Sequence, residues 1–171
     1  MTKSLYPHLL IQVLVIGLLS VTPAFAQGEH KGMGMMGDAA MGADMQVFHQ
    51  LFDHRSEITR QVIKREDGID TITESTNPEV TRLLQGHVAS MLARVKDGLP
   101  IHQRDPLFVE LFKNAGKIET RQELTAGGVR VIETSKDAYV VKLLSAHAEV
   151  IGAFLANGMS EMMKNHPVPP R

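Results

Sequence analysis

The 171-residue sequence contains no cysteine, no tryptophan and only two tyrosines. The absence of cysteine excludes disulfide bridges, thiolate zinc sites, covalent c-type haem attachment and a lipidated N-terminal cysteine. The fold must therefore be stabilised by packing alone. An excess of one charge is also lacking, because 18 basic and 19 acidic residues give a formal net charge of −1. Such a chain has no bulk attraction for nucleic acid or for an anionic membrane.

The motifs of familiar enzyme classes are missing as well. The sequence has no G-x-S-x-G elbow, no P-loop, no dinucleotide-binding glycine motif and no H-E-x-x-H helix. Asp53 and Glu57 are spaced to share one helix face, but an exposed acidic pair is usually a solvated surface. We therefore predict no catalytic residue and favour a non-enzymatic role.

The N-terminus has the order of a secretory signal. Lys3 precedes an apolar run over residues 9–19, which is followed by an A-x-A pattern that ends at Ala26. The run is shorter than the about 20 residues that a membrane-spanning helix needs. We predict a signal peptide over residues 1–26 that is cleaved near Gln27, a periplasmic or secreted location, and no membrane contact of the mature chain.

The sequence is similar to itself at an offset of 60 residues, without gaps. The residues that recur are Phe48, Leu51, Phe52, Ile58, Gly68, Ile72, Ser75, Val80, Leu83, Leu84, His87, Ala93 and Gly98, which return as Phe108, Leu111, Phe112, Ile118, Gly128, Ile132, Ser135, Val140, Leu143, Leu144, His147, Ala153 and Gly158. One register kept over this length indicates an internal repeat. The two copies span residues 44–98 and 104–158.

Each copy has the pattern of a helix, a hairpin and a second helix. Arms rich in Val, Ile and Thr flank Asp67-Gly68 and Gly127-Gly128, dipeptides typical of tight hairpin turns. The second helices are predicted to begin after the capping residues Asn77 and Asp137 and to end at Gly98 and Gly158.

These patterns predict an α+β fold built from a duplicated αββα unit. Because an isolated hairpin is marginally stable, two units should form one four-stranded antiparallel sheet packed with about four helices around a pseudo-two-fold axis. The copies could pair within one chain or swap between two chains, so a homodimer is a further prediction. A flexible segment rich in Met and Gly, residues 27–43, should precede this domain of residues 44–158, and a tail rich in Met, His and Pro, residues 159–171, should follow it.

His87 and His147 occupy the same position in the two copies. They lie on the apolar stripes of the second helices, formed by Val80, Leu84, Met91 and Val95 and by Val140, Leu144, Ile151 and Phe154. Both imidazoles should therefore point into the core, where two ring nitrogens need partners. Either each ring is structural and bonded to a carbonyl or carboxylate, or the pair binds a metal ion or a non-covalent haem.

His54 is a third candidate ligand. It lies about 140° around the helix from His49, so these two residues cannot bind one ion together, and His54 is nearer the apolar side. The residue 60 positions later is Asn114, a poor metal ligand, so any site should be asymmetric.

Methionine is concentrated near both ends of the mature chain. No Leu, Ile, Val or Phe occurs over residues 28–45, which contain His30, Met33, Met35, Met36, Met41 and Met45. The C-terminal end adds Met159, Met162, Met163 and His166, spaced so that one helix face could offer several donors. The thioether and imidazole donors of both segments suit Cu(I), although a Gly-rich linker and core filler would give the same composition. Both segments resemble the Met- and His-rich stretches of exported copper-handling proteins.

The sequence therefore predicts an exported soluble binding protein for a transition metal, copper being favoured, or for non-covalent haem. His87, His147 and His54 are the candidate ligands, and the methionines, His30 and His166 are accessory donors. The alternative is a non-catalytic interaction or assembly module in which the histidines are structural.

Overall fold

A computed structural model describes residues 33–171, with side chains from residue 41 onward. The predicted signal peptide and His30 lie outside these residues. The helices are α1 (Met33–Asp53), α2 (Pro78–Asp97), α3 (Pro106–Lys113), α4 (Ala138–Asn157) and α5 (Met159–Met162), and the strands are β1 (Ile58–Arg65), β2 (Gly68–Ser75), β3 (Glu119–Leu124) and β4 (Gly128–Thr134). Short 3₁₀ turns, Arg55–Glu57 and Ala115–Lys117, precede the two hairpins.

The four strands form one antiparallel sheet in the order β1-β2-β4-β3. This confirms the predicted fold class, and the described chain has a fifth, short helix in addition. The hairpins join through their inner strands, where Thr71 is opposite Val131 and Gly68 is opposite Thr134. Gly128 is opposite Glu74, so the register is symmetric about the sheet centre. A duplication would produce this symmetry, and the duplication itself stays a prediction.

Gly68 in β2 and Gly128 in β4 are needed because the backbones of these two central strands approach each other closely. A Cβ atom at Gly68 would lie 1.9 Å from the carbonyl oxygen of Glu133, and one at Gly128 would lie 2.1 Å from that of Thr73. Neither distance is compatible with a side chain. These glycines therefore permit the two hairpins to pair.

The predicted turn positions were wrong. Gly68 is the first residue of β2 and is opposite Arg65, so the first turn consists of Glu66-Asp67. The second turn spans residues 125–127, because Gly128 begins β4. Gly68 and Gly128, two of the three glycines that suggested turns, thus lie in strands, where the neighbouring strand leaves no room for a Cβ.

The long helices begin and end at the predicted residues. The side chains of Asn77 and Asp137 each accept a hydrogen bond from the backbone N–H two residues later, at 3.0 Å. Gly98 ends α2 in the left-handed conformation with φ of 65°, which glycine adopts without steric cost. Gly158 follows the last residue of α4.

The first helix is longer than the sequence suggested. It begins at Met33, so residues 33–43 of the segment predicted to be flexible are helical. Met and Ala are good helix formers, and they outnumber the glycines there. Asp44 of α1 contacts α2 through two hydrogen bonds. Its carboxylate accepts one from Arg94 Nε at 2.5 Å and one from Ser90 Oγ at 2.6 Å.

Helices α2 and α4 pack on the sheet and are themselves covered by α1 and α3. Among the described helices, α4 has the length and apolar composition to cross a membrane. Its buried side chains account for that composition, since they form core clusters with the sheet and with α3: Val140, Leu143, Leu144, Ala148, Val150 and Phe154.

Candidate functional site

A cavity of about 450 Å³ lies between the helices and the sheet. Its walls are mostly apolar and include residues of all five helices, among them Phe48, Leu84, Phe108, Ile151, Phe154 and Met162. Its floor is the sheet, which contributes Arg60, Thr71, Thr73, Val131 and Glu133. This volume falls within the about 300–1,000 Å³ of typical small-molecule sites.

His87 and His147 both lie on the wall of this cavity. His87 contacts Phe48 edge to face with a centroid distance of 4.5 Å, and His147 contacts Phe108 in the same way at 5.1 Å. The two contacts are related by the 60-residue offset. Each ring is therefore positioned by the phenylalanine of the preceding helix in its own half, and both face one interior space.

Burial keeps both imidazoles neutral. It lowers the pKa of His87 to about 4 and that of His147 to about 4 from an ordinary value of 6.5, and Arg60 lowers the pKa of His147 further. The neutral form is the one that coordinates a metal ion, because a protonated ring nitrogen has no free lone pair.

Neither imidazole has a hydrogen-bond partner among residues 33–171. The Nδ1 atoms of both rings are buried without a hydrogen-bond partner, and neither ring bonds to a described residue through Nε2. A structural core histidine would bond to a carbonyl or carboxylate group, and within the described part of the chain neither His87 nor His147 does so. A buried polar atom left unpaired costs about 1–3 kcal/mol, so a group inside the cavity that bonds these rings would be favourable.

The methionines of the two segments meet at this cavity. Met41 and Met45 of α1 line it together with Met159, Met162 and Met163 near the C-terminus. Met41, Met159 and Met163 are also exposed to solvent, by 41%, 41% and 60%, and so they mark its mouth. Segments more than 100 residues apart in sequence thus place thioether sulfurs around one opening, and Met91 of α2 adds another.

His54 lies elsewhere. It follows the end of α1 at the surface, where its Nδ1 is 2.7 Å from Glu57 Oε1. Hydrogen bonding to Glu57 raises the pKa of His54, and the same contact occupies its Nδ1 atom. The structure therefore does not bring His54 to His87 or His147.

His166 is also separated from the cavity. Helix α5 ends at Met162, so the predicted helical face of three methionines and His166 does not form. Instead, Nδ1 of His166 is 2.6 Å from Asp105 Oδ2 and Nε2 is 3.2 Å from Glu161 Oε1. With both ring nitrogens occupied, His166 holds the tail against α3. Of the other accessory donors, Met33, Met35 and Met36 lie in α1, where their side chains are outside the described part.

The sequence reasoning missed Arg60 and Glu133 on the cavity floor. Both are in phase with a buried apolar residue, Arg60 two residues after Ile58 in β1 and Glu133 two residues after Val131 in β4. In a strand with period two, a charged residue in phase with the buried side chains is a detectable signal.

The described residues contain no preformed cluster of three or more His, Cys, Asp or Glu side chains that could hold a metal ion. A metal centre at this site would have to use the imidazoles with thioethers or arrive within a larger ligand. Comparison with known proteins adds no assignment, because no protein-family model, curated protein or solved structure matches the chain.

Proposed function

We propose that this protein binds a largely apolar small molecule that carries a metal centre, and that non-covalent haem is the ligand class which best fits the cavity. The observation that carries the proposal is the pair of neutral, unpartnered imidazoles of His87 and His147 on the wall of one apolar cavity. Neutral imidazole is a common axial ligand of haem iron, and methionine sulfur is another.

The volume distinguishes this ligand from a bare ion. A single metal ion would leave most of the about 450 Å³ unfilled, whereas a molecule would bury the apolar walls. The phenylalanines at positions 48, 108 and 154 supply flat apolar surface beside the histidines. A planar aromatic ligand would extend these ring contacts.

Cu(I) is the second candidate, favoured by the convergence of the two methionine segments. Thioether and imidazole are the donors that soft Cu(I) prefers, and they do not require a cluster of carboxylates. In this version Met41, Met45, Met159, Met162 and Met163 would bind the ion near the mouth. The histidines would then complete the coordination from within.

The test is to produce the full chain with its N-terminal signal, recover the mature protein and titrate it with hemin and with Cu(I). Haem coordination predicts a shifted Soret band in the wild type, which His87→Leu and His147→Leu each alter. The control His54→Leu removes an imidazole outside the cavity and should leave the spectrum unchanged. A methionine-based Cu(I) site predicts instead that Met159→Leu, a change of similar volume, weakens Cu(I) binding and leaves hemin binding intact.

A protein that binds neither hemin nor Cu(I) would contradict both forms of the proposal. The remaining interpretation would be the interaction or assembly module with structural histidines. That interpretation expects a loss of folding stability in His87→Ala with no change in ligand content.

A further inference from the structure

We propose that the ligand of this cavity carries a carboxylate and that Arg60, on the sheet floor, binds it. The inference rests on the proposed function in one respect, namely that a small molecule occupies the cavity. It adds the polar group by which that molecule is recognised and oriented.

Arg60 is a cation with unused hydrogen-bond donors inside the fold. Its Nη1 donates to Thr73 Oγ1 at 2.8 Å across the β1–β2 register, whereas its Nε is buried without a partner. Burial also lowers the pKa of Arg60. No carboxylate among the described residues lies within ion-pair distance of Arg60, which is absent from all 14 ion pairs of that part of the chain. Within the part of the chain that the structure describes, the guanidinium therefore has no anion in contact with it.

Glu133 is the acidic group on the same floor, and its side chain is not within ion-pair distance of Arg60. It makes no hydrogen bond or ion pair to a described residue, although each of the two side chains acts on the other electrostatically. Burial raises the pKa of Glu133, whereas the charge of Arg60 lowers it.

Arg60 and Glu133 have no charged counterparts at the equivalent positions in the other half of the sheet. The residue 60 positions after Arg60 is Thr120, and the residue 60 positions before Glu133 is Thr73. The strand positions themselves therefore accept a neutral side chain. Arg60 lies in the β1–β2 half of the floor and Glu133 in the β4–β3 half. The cation is therefore at one end only, which would fix which end of the ligand enters first.

A carboxylate is the ligand group that matches this chemistry. Guanidinium binds carboxylate through two parallel N–H···O bonds, and such bonds strengthen where water is excluded. An alcohol, ester or hydrocarbon end would leave the cation unpaired. The expected ligand is thus an apolar molecule with an acidic end, and haem, with its propionates, belongs to this class.

The experiment compares metal-free protoporphyrin IX with its dimethyl ester, using porphyrin fluorescence to measure binding to the full chain after export. Without iron, the porphyrin tests the floor independently of the histidines. We expect the free acid to bind wild type at least about tenfold more tightly than the ester, since a charge-assisted hydrogen bond is worth about that ratio or more. Arg60→Gln should abolish this preference by weakening only the acid.

The matched control is Arg121→Gln, which removes an exposed arginine of β3 that does not line the cavity. This variant should keep the wild-type preference. Glu133→Gln keeps the size of this side chain and should preserve the preference for the acid over the ester, because that preference is assigned to Arg60. Arg60→Lys, which keeps the charge without the paired N–H groups, should retain part of the preference and serves if Arg60→Gln does not fold.

Three outcomes separate the two proposals. Equal binding of acid and ester to wild type would overturn the carboxylate inference and leave the cavity as a ligand site. Retention of the preference in a folded Arg60→Gln variant would also overturn it. Failure of wild type to bind either porphyrin would overturn the inference, while the hemin titration decides the haem proposal separately.

Discussion

Asp105 holds the C-terminal tail to the domain, and its removal gives the sharpest test of the structure. The side chain is fully buried at the start of α3, where it accepts a hydrogen bond from the backbone N–H of Leu107 at 3.0 Å. The same oxygen accepts from the backbone N–H of His166 at 3.1 Å, and the other oxygen is 2.6 Å from His166 Nδ1. One carboxylate thus caps a helix and anchors a segment 61 residues away.

The two roles can be separated by two substitutions. Asp105→Asn keeps the cap, since Asn and Asp are similar in that position, but loses the charged partner of His166, at a cost of about 1.5–3 kcal/mol. Asp105→Ala loses the cap as well and should cost about 1 kcal/mol more. Asp137→Asn is the matched control, because Asp137 caps α4 in the same way but pairs only with the exposed Lys117. An exposed pair contributes about 0–1 kcal/mol.

The cost of Asp105→Asn should depend on pH. Burial opposes the charge on His166, but hydrogen bonds to Asp105 and Glu161 outweigh it and raise the pKa of His166 above 6.5. The charged interaction is therefore fully present below pH 6.5 and is lost as the pH rises through the raised value. Glu161 keeps its charge throughout this range, because Lys164 and His166 lower its pKa to about 2.

The assay is urea unfolding of each variant followed by helical circular dichroism at pH 6 and at pH 9. We expect Asp105→Asn to lower the free energy of unfolding by more than Asp137→Asn at pH 6, with a smaller difference at pH 9. Equal costs for the two variants, or a difference that does not change with pH, would refute the assigned contact between Asp105 and charged His166.

The remaining predictions concern the core histidines and the central strands. Burial lowers the pKa values of His87 and His147 to about 4 in the folded protein, so the unfolded chain binds protons at higher pH than the folded one. Each ring should therefore lower the free energy of unfolding by roughly 1–3 kcal/mol as the pH falls from 6.5 to 4. Urea titrations should show a shallower decline in His147→Leu, and an unchanged slope would contradict a buried neutral ring. Acid should likewise release a ligand coordinated by these imidazoles, which dialysis at pH 4 would detect as lost Soret absorption. Gly128→Ala should lower the free energy of unfolding by about 2–3 kcal/mol or more, because its Cβ would clash with the neighbouring strand. Gly86→Ala, which has open space around it in α2, should raise that free energy by about 0.5–1 kcal/mol. Similar effects at both positions would contradict the strand register.

Local signals in the sequence were sufficient for most helix boundaries. Asn77 and Asp137 cap their helices through a hydrogen bond within two residues, and Gly98 ends α2 by its own backbone conformation. Such interactions are nearly complete within one turn of chain, so they can be inferred without the rest of the fold. The start of α1 was placed too late because its glycines suggested flexibility.

Only part of the candidate site could be predicted from the sequence. His87 and His147 could be selected because helical spacing puts them on apolar stripes. Their missing hydrogen-bond partners, the separation of His54 from them and the contact of His166 with Asp105 all involve residues distant in sequence. Periodicity says which face a side chain occupies, and it does not say what lies opposite that face.

The sequence by itself determined the order of helices and strands and the inward direction of both core imidazoles, because these depend on short-range periodicity and capping. Tertiary structure alone decided that Gly68 and Gly128 lie within strands, since only the neighbouring backbone forbids a Cβ there. It also decided that thioethers from both ends of the domain surround one cavity whose floor carries Arg60. The volume between packed elements depends on how all of them meet, and no single segment encodes it.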